Sequence, residues 1–517
     1  MRRALALIAL LLLPAIAPAQ SRAEIEATMR RATQYMVEHV ADRGGYVWTY
    51  LPDGSRRWGE MEAGPDMIWV QAPGTATMGH LFLDAWHATG DDYYYEAAAR
   101  AADALIAGQH SSGGWNYFIH FGGAEGARRW YETVGANGWR LEEFQHYSDN
   151  ATFDDAGTAE TMQLLLRLHL AGRDDRFRAP LDRAIGFVLD SQYPNGGWPQ
   201  RFPYDPGYPE YQGYITFNDD VAKENIGFLI MAGRALGDAR LIAAARRGME
   251  AFLITQLPAP QAGWALQYTL DLQPAGARSY EPLALVTHTT AANVEQLMHF
   301  YRLTGETRFL DAVPAALDWL ASVRLPDDVG PPARRFPTFV EIGTNRPIYV
   351  HRRGSNVVNG AYYADHEPAA PIAHYSQFRP IDLDRLRRDY DALRAMSPEA
   401  ATRGSPLRED ARVPRLFILA GIAAGSDFTG AARLDLAGIV AALNEEGWWP
   451  TPLATTSHPS SGPGPAEPAP GDHRETHVGD ASDTSPYPDS EPATGISTAT
   501  YIASMTRLIA ALVDAPR

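Results

Sequence analysis

The sequence has no cysteine in 517 residues. Disulfides therefore brace nothing, thiolate metal sites are excluded, and so is a lipid-bearing cysteine at the start of a mature chain. A chain this long can rely on its hydrophobic core instead. Positive charge is also scarce: 45 Lys and Arg face 62 Asp and Glu, a net charge of -17. That disfavours nucleic acid and anionic membrane surfaces as partners. An acidic polysaccharide would have to be met through a bridging cation or a local cluster of arginines. Beyond the first twenty residues no run is long and apolar enough to read as a membrane helix. A monomer is expected.

What is present starts with MRRALALIALLLLPAIAPAQ. Arg2 and Arg3 form a basic start, Ala4 to Leu13 an apolar stretch, and Ala17-Pro18-Ala19 a small-residue cleavage site. This is the pattern of a secretion signal cut after Ala19, so the protein is expected to be secreted or periplasmic. Residues 20–517 are then expected to form one domain. Its core would span about 90–350, with a peripheral insertion at 365–410, a Pro/Ser/Gly-rich loop at 450–495 and a closing helix at 496–513.

The helices repeat. Turn glycines recur at Gly90, Gly172, Gly237 and Gly305, each followed by an Ala-rich helical pattern. The first three such helices end in Gly114-Trp115, Gly197-Trp198 and Gly263-Trp264, at nearly constant distance from the turn; Gly44-Gly45-Tyr46 is a degenerate earlier copy. One helical hairpin cannot bury its own face, so repeated hairpins predict stacking into an all-α (α/α) toroid or incomplete barrel. The Gly-Trp loops then gather at one mouth. There a tryptophan can line a sugar subsite or plug the core; for Trp198, in the long aromatic loop Ser191–Ala222, a sugar subsite is expected. Past Leu325 the repeat breaks, and Val340–Val350 reads as a short hairpin around Gly343-Thr344-Asn345.

Three stretches carry polar groups that packing does not require. Asp154 and Asp155 precede one helical run, and Asn218, Asp219 and Asp220 precede the next. Helix N-termini welcome acids, so capping alone would explain each pair. Two pairs at the same mouth, however, offer hard oxygen ligands suited to Ca²⁺. The third stretch is Ala277–Glu281, where Arg278 and Glu281 also read as a plain ion pair.

These stretches carry a resemblance. SQYPNGGWPQRFP (191–203), ITFNDD (215–220), ATFDDAGTAETM (151–162), ARSYE (277–281) and EIGTNRPIY (341–349) resemble, in order, the polysaccharide lyase family 10 pectate lyases. The resemblance implies an α/α toroid that cleaves polygalacturonate by Ca²⁺-assisted β-elimination. Position by position it implies Asp154 and Asp219 at the metal and Arg278 as catalytic base. Trp198, Asn218, Asp220, Asp155, Tyr280 and Arg346 would contact substrate. The chain departs from the family pattern at Asp155-Ala156, in Gly113–His120, in Pro282–Thr289, and after Tyr349, where Arg352 and Arg353 are the nearest arginines.

Three other readings compete. A glycoside hydrolase on the same scaffold would use two carboxylates, with Asp154 and Asp219 available. A terpene-cyclase-like protein would share the repeats Gln109-x-x-x-Gly113-x-Trp115 and Gln192-x-x-x-Gly196-x-Trp198, but the Asp-x-Asp-Asp acid of the cyclising class is missing. A non-catalytic polysaccharide-binding relative would keep the groove without the chemistry.

Overall fold

The computed structural model describes residues 20–135, 142–352, 362–368, 377–408, 435–453 and 494–514. The expected signal segment, the helical run Pro414–Ala424 and most of the 450–495 loop lie outside these residues.

Helical hairpins carry the architecture. After α1 (Arg22–Tyr35), α2 (Thr75–Thr89) turns at Gly90 into α3 (Asp92–Ala107). A short α4 (Gly123–Thr133) lies in the loop that follows. Then come α5 (Gly157–Ala171) with α6 (Arg178–Asp190), and α7 (Val221–Leu236) with α8 (Ala239–Ile254). Next α9 (Thr287–Thr304) pairs with α10 (Arg308–Asp311) and α11 (Val313–Ser322). The described helices end with α12 (Leu383–Arg394), α13 (Pro398–Ala401), α14 (Leu436–Ala442) and α15 (Thr498–Asp514). The repeat's turn glycines 90, 172, 237 and 305 all cap their helices in the left-handed conformation.

Burial separates two layers. Residues Thr75–Leu83 of α2 are buried without interruption, as are Gly157–Met162 of α5, which marks helices enclosed all round. By contrast α8 buries one stripe, Leu241, Ala244, Ala245, Gly248, Met249 and Phe252. The inner helices α15, α2, α5 and α7 touch in that order, and α15 also packs on α1, so the end of the chain meets its beginning. A small sheet repeats that closure: Thr49–Tyr50 pairs with both Arg57–Trp58 and Ile496-Ser497. The fold is an α/α toroid.

The Gln-x-x-x-Gly-x-Trp repeat is a brace between neighbouring hairpins. Gln109 Nε2 donates to the carbonyls of Gly113 (2.7 Å) and Pro180 (3.0 Å), and Gln192 Nε2 to those of Gly196 (3.0 Å) and Ala244 (2.9 Å). Gln256 repeats this on Ala262 and Ala312. Gly196 is obligatory here. Its φ is 92°, and a Cβ would stand 1.9 Å from the Arg247 carbonyl oxygen. The segment after Val323 also packs onto the ring: α12 lies on α9 and α11, burying Leu386, Tyr390 and Leu393. The stretch expected as a peripheral insertion thus contributes to the helical wall.

Each Gly-Trp loop leads to a two-residue strand immediately before or just ahead of an inner helix. Ala151–Thr152 pairs with Arg201–Phe202, Ile215–Thr216 with Gln267–Tyr268, and Leu285–Val286 with Phe339–Val340. Phe339–Val340 pairs in turn with Pro347-Ile348, forming the hairpin expected around Gly343. These short pairings fix the loops at one mouth. Among the described residues no helix is long and apolar enough to cross a membrane.

Candidate active site

Two successive hairpins present the same turn at that mouth. Phe153-Asp154-Asp155-Ala156 leads into α5 and Phe217-Asn218-Asp219-Asp220 into α7. The Phe153 N–H donates to the Gln200 carbonyl and the Phe217 N–H to the Leu266 carbonyl, both at 2.9 Å. In each turn the last two residues are left-handed: φ is 50° and 57° at Asp155 and Ala156, 52° and 58° at Asp219 and Asp220. Such non-glycine conformations cost on the order of 1–3 kcal/mol each and persist only where surroundings impose them. By this register Asp155 corresponds to Asp219, and Asp154 to Asn218.

The turns converge. Asp154, Asp155 and Asp219 each bring an oxygen within 4.8 Å of the others. Arg278 closes the cluster from the loop after Trp264, with only 4% of its side chain exposed. Its Nε and Nη2 make a two-point pair with Glu281 at 2.8 and 3.0 Å. Nη2 also reaches Asp219 Oδ2 at 3.1 Å, while Nη1 lies 3.4 Å from both Asp154 and Glu143. The loop ion pair expected between Arg278 and Glu281 exists, but it is buried and belongs to a larger centre of one guanidinium among four carboxylates.

Charge in this enclosure is unevenly held. Burial opposes ionisation of Asp154, but Arg278 and a hydrogen bond from the Tyr117 hydroxyl outweigh it, so its carboxyl lies below the ordinary range. Burial, then the charge of Asp154, pushes Asp155 up to about 8. Asp219 is raised well above the usual carboxylate range by burial and by the other two aspartates. Burial likewise raises Glu143, against the pull of Arg278. The cluster therefore holds more carboxyl groups than Arg278 can balance.

A divalent cation fits that imbalance. The donors are all hard oxygens, and two buried ones, Asp154 Oδ1 and Asn218 Oδ1, accept no hydrogen bond among the described residues. Such orphaned acceptors at the wall of a carboxylate cluster are what a cation site leaves behind when only protein is considered. Three carboxylates do not complete a calcium shell, so further oxygens would have to fill it.

Not every expected residue is there. Trp198 is corrected: it is fully buried, its indole N–H donates to the Val188 carbonyl at 2.9 Å, and its ring lies under Gly248. Trp115 and Trp264 are equally buried and donate to the matching carbonyls of Leu105 and Phe252. The repeat tryptophans plug the hairpins and offer no face to a sugar. Tyr280 is corrected too: it is fully buried and its hydroxyl donates to Glu143 Oε2, so it supports the wall behind Arg278. Arg346 is exposed on the Gly343 turn, and among the described residues no hydrogen bond or ion pair links it to the cluster. Asn218 is buried and donates to Asp219 Oδ2; Asp220 is exposed and paired with Lys223. Arg352 ends a described strand without a described side chain, and Arg353 lies outside the described residues.

Other site members were not read from the sequence. Tyr117 and Glu143 touch Asp154 and Arg278, and Gln71 donates to Asp155 Oδ2 at 2.6 Å while also holding Glu60. Arg201 is buried against Asn150 and Asn116, its guanidinium over the Tyr117 ring. Tyr117 sits in the first Gly-Trp loop, where the repeat could have pointed to it. Glu60 and Gln71 lie in irregular chain that carries no periodic signal.

Comparison with known proteins supports the class of polysaccharide lyases. The match is to one family: residues 127–361, somewhat under half of the chain, fit the model described as pectic acid lyase. The resemblance to polysaccharide lyase family 10 drawn from the short motifs therefore stands. Among solved structures, a mutant family 10 polysaccharide lyase from Cellvibrio cellulosa in complex with trigalacturonic acid is 18% identical, covering 61% of this chain and 98% of that chain, with a TM-score of 0.40. A second structure of the family 10 lyase from that organism is 19% identical over 63% and 91%, with a TM-score of 0.37. An α-1,6-mannanase from Salegentibacter is 11% identical over 95% and 100%, with a TM-score of 0.38. Likenesses this loose decide nothing about chemistry. No curated protein matches the sequence significantly.

Proposed function

We propose that this protein is an exported pectate lyase that cleaves polygalacturonate, or a related uronate polysaccharide, by cation-assisted β-elimination. The observation that carries the reading is Arg278, set among Glu143, Asp154, Asp219 and Glu281 beside three convergent aspartate oxygens. Asp154, Asp155 and Asp219 would hold Ca²⁺, with the amide oxygen of Asn218 nearby. Bound there, a divalent cation supplies positive charge to a uronate carboxylate and so acidifies the neighbouring C–H bond.

The protein's residues do the rest. With its guanidinium made neutral by passing one proton to water, Arg278 would take the proton from the carbon beside the carboxylate; the C–H electrons form the double bond, and the glycosidic oxygen leaves and is protonated by water. Arginine is a poor base because it is ordinarily charged, and four carboxylates favour that charge further. A cation held by Asp154 and Asp219 would compete with Arg278 for two of these partners. Glu281 and the Glu143–Tyr280 pair keep the guanidinium in place. The test is polygalacturonate turnover with and without a calcium chelator; undiminished turnover after complete chelation would remove the cation from the account.

One feature favours hydrolysis instead. Asp154 is held ionised while Asp155 is pushed up to about 8, a base beside an acid. The products separate the two chemistries, because only elimination leaves a carbon–carbon double bond.

A further inference from the structure

We infer that Gln71 is a positioning residue that fixes Asp155 as a ligand for the divalent cation, so that a segment outside the pectic acid lyase match completes the site. The inference rests on the cation reading above and adds to it a residue from before residue 127.

The orientation of the Gln71 amide is settled by chemistry. Trp69 Nε1 lies 2.8 Å from Gln71 Oε1, and an indole nitrogen only donates, so the amide oxygen must face it. The amide nitrogen then has two hydrogens and two acceptors, Glu60 Oε2 at 2.9 Å and Asp155 Oδ2 at 2.6 Å. No flip satisfies these three neighbours. The main chain of Gln71 is held as well: its carbonyl accepts from Trp48 Nε1 at 3.0 Å and from the Gly74 N–H at 2.9 Å. Trp69 is fully buried and lies against Gly59, where a Cβ would meet its ring at 1.9 Å. The strand turn carrying Glu60 is thereby pressed onto the same indole.

What this clamp grips is the strained member of the cluster. Asp155 has a φ of 50°, a conformation that a non-glycine residue keeps only where its surroundings impose it. Gln71 occupies one of its oxygens, and among the described residues no hydrogen bond takes the other. A neutral amide is the suitable group between Glu60 and Asp155, since a carboxylate there would add like charge in a buried place. Groups that orient metal ligands in this way change metal affinity by about 10- to 100-fold when removed.

The experiment measures Ca²⁺ binding by calorimetry on the full chain, without substrate, for wild type, Gln71→Met, Asp155→Asn and the double variant. Gln71→Met is expected to weaken Ca²⁺ binding about 10- to 100-fold. In the Asp155→Asn background the same change is expected to add less than about threefold, because the two act through one contact. If Gln71→Met does not fold, Gln71→Asn is measured in its place with the same expectation. Retention of wild-type affinity, or an equal loss in both backgrounds, would overturn the role of Gln71 while leaving the cation site intact. A wild type that takes up no Ca²⁺ would overturn the site itself and this inference with it.

Discussion

Asp155 and Asp219 occupy the same place in two successive hairpins, both left-handed and both two residues before the first residue of an inner helix. The toroid thus makes a two-sided site by repeating one turn. Both carboxyls hold their protons tightly, Asp155 up to about 8 and Asp219 well above its usual range, because burial and mutual charge disfavour ionisation. A cation must displace those protons. Ca²⁺ affinity is therefore expected to rise with pH up to about 8, with proton release visible by calorimetry in buffers of different ionisation enthalpy. An affinity unchanged between about pH 5 and 8 would contradict it.

Arg278→Lys keeps the charge and loses the fork that binds Glu281 at two points. Lysine cannot serve Glu143, Asp154, Asp219 and Glu281 together. The variant is expected to bind polygalacturonate and Ca²⁺ and to lose turnover by about 10² or more. Turnover above about a third of wild type would take Arg278 out of the reaction.

Trp198→Ala is expected to act on stability. A fully buried indole with a satisfied N–H leaves a large cavity when removed, at a cost of about 3–5 kcal/mol. Denaturant unfolding of Trp198→Ala and the equivalent Trp264→Ala should show similar losses. A stable Trp198→Ala with weakened oligogalacturonate binding would restore the sugar-subsite role.

Glu160 sits on α5 away from the carboxylate centre's ion pairs, and burial pushes its carboxyl up to about 8 from 4.5, with Thr77 Oγ1 donating to it at 2.8 Å. A raised acid binds its proton in the folded chain after the unfolded chain has released it. Folding is therefore penalised above pH 4.5, increasingly until about 8. Glu160→Gln can accept the same hydrogen bond and escapes the penalty. Its melting temperature relative to wild type is expected to climb across that window, and a difference independent of pH would contradict the assignment.

The toroid was legible because its signals are local and repeated: a glycine where each helix must turn left-handed, and a Gly-Trp where each loop must pass under the next hairpin. The aspartates and Arg278 were legible through short motifs. Trp198 misled because a glycine-rich aromatic loop reads alike whether its ring faces out or in; the hydrogen bond to Val188 decides, and it depends on how the hairpin packs. Tyr280 was misplaced for the same reason. Gln71 was invisible because it reaches Asp155 across a long stretch of sequence, from the loop after the three-residue strand Met67–Trp69, and Glu60 because it joins the site only through Gln71.

The central claim is elimination at Arg278, and the most direct measurement follows new reducing ends and ultraviolet absorbance together during polygalacturonate cleavage in saturating Ca²⁺. Elimination predicts that absorbance from the double bond conjugated with the carboxylate grows in step with the reducing ends. Reducing ends that accumulate without that absorbance would contradict it.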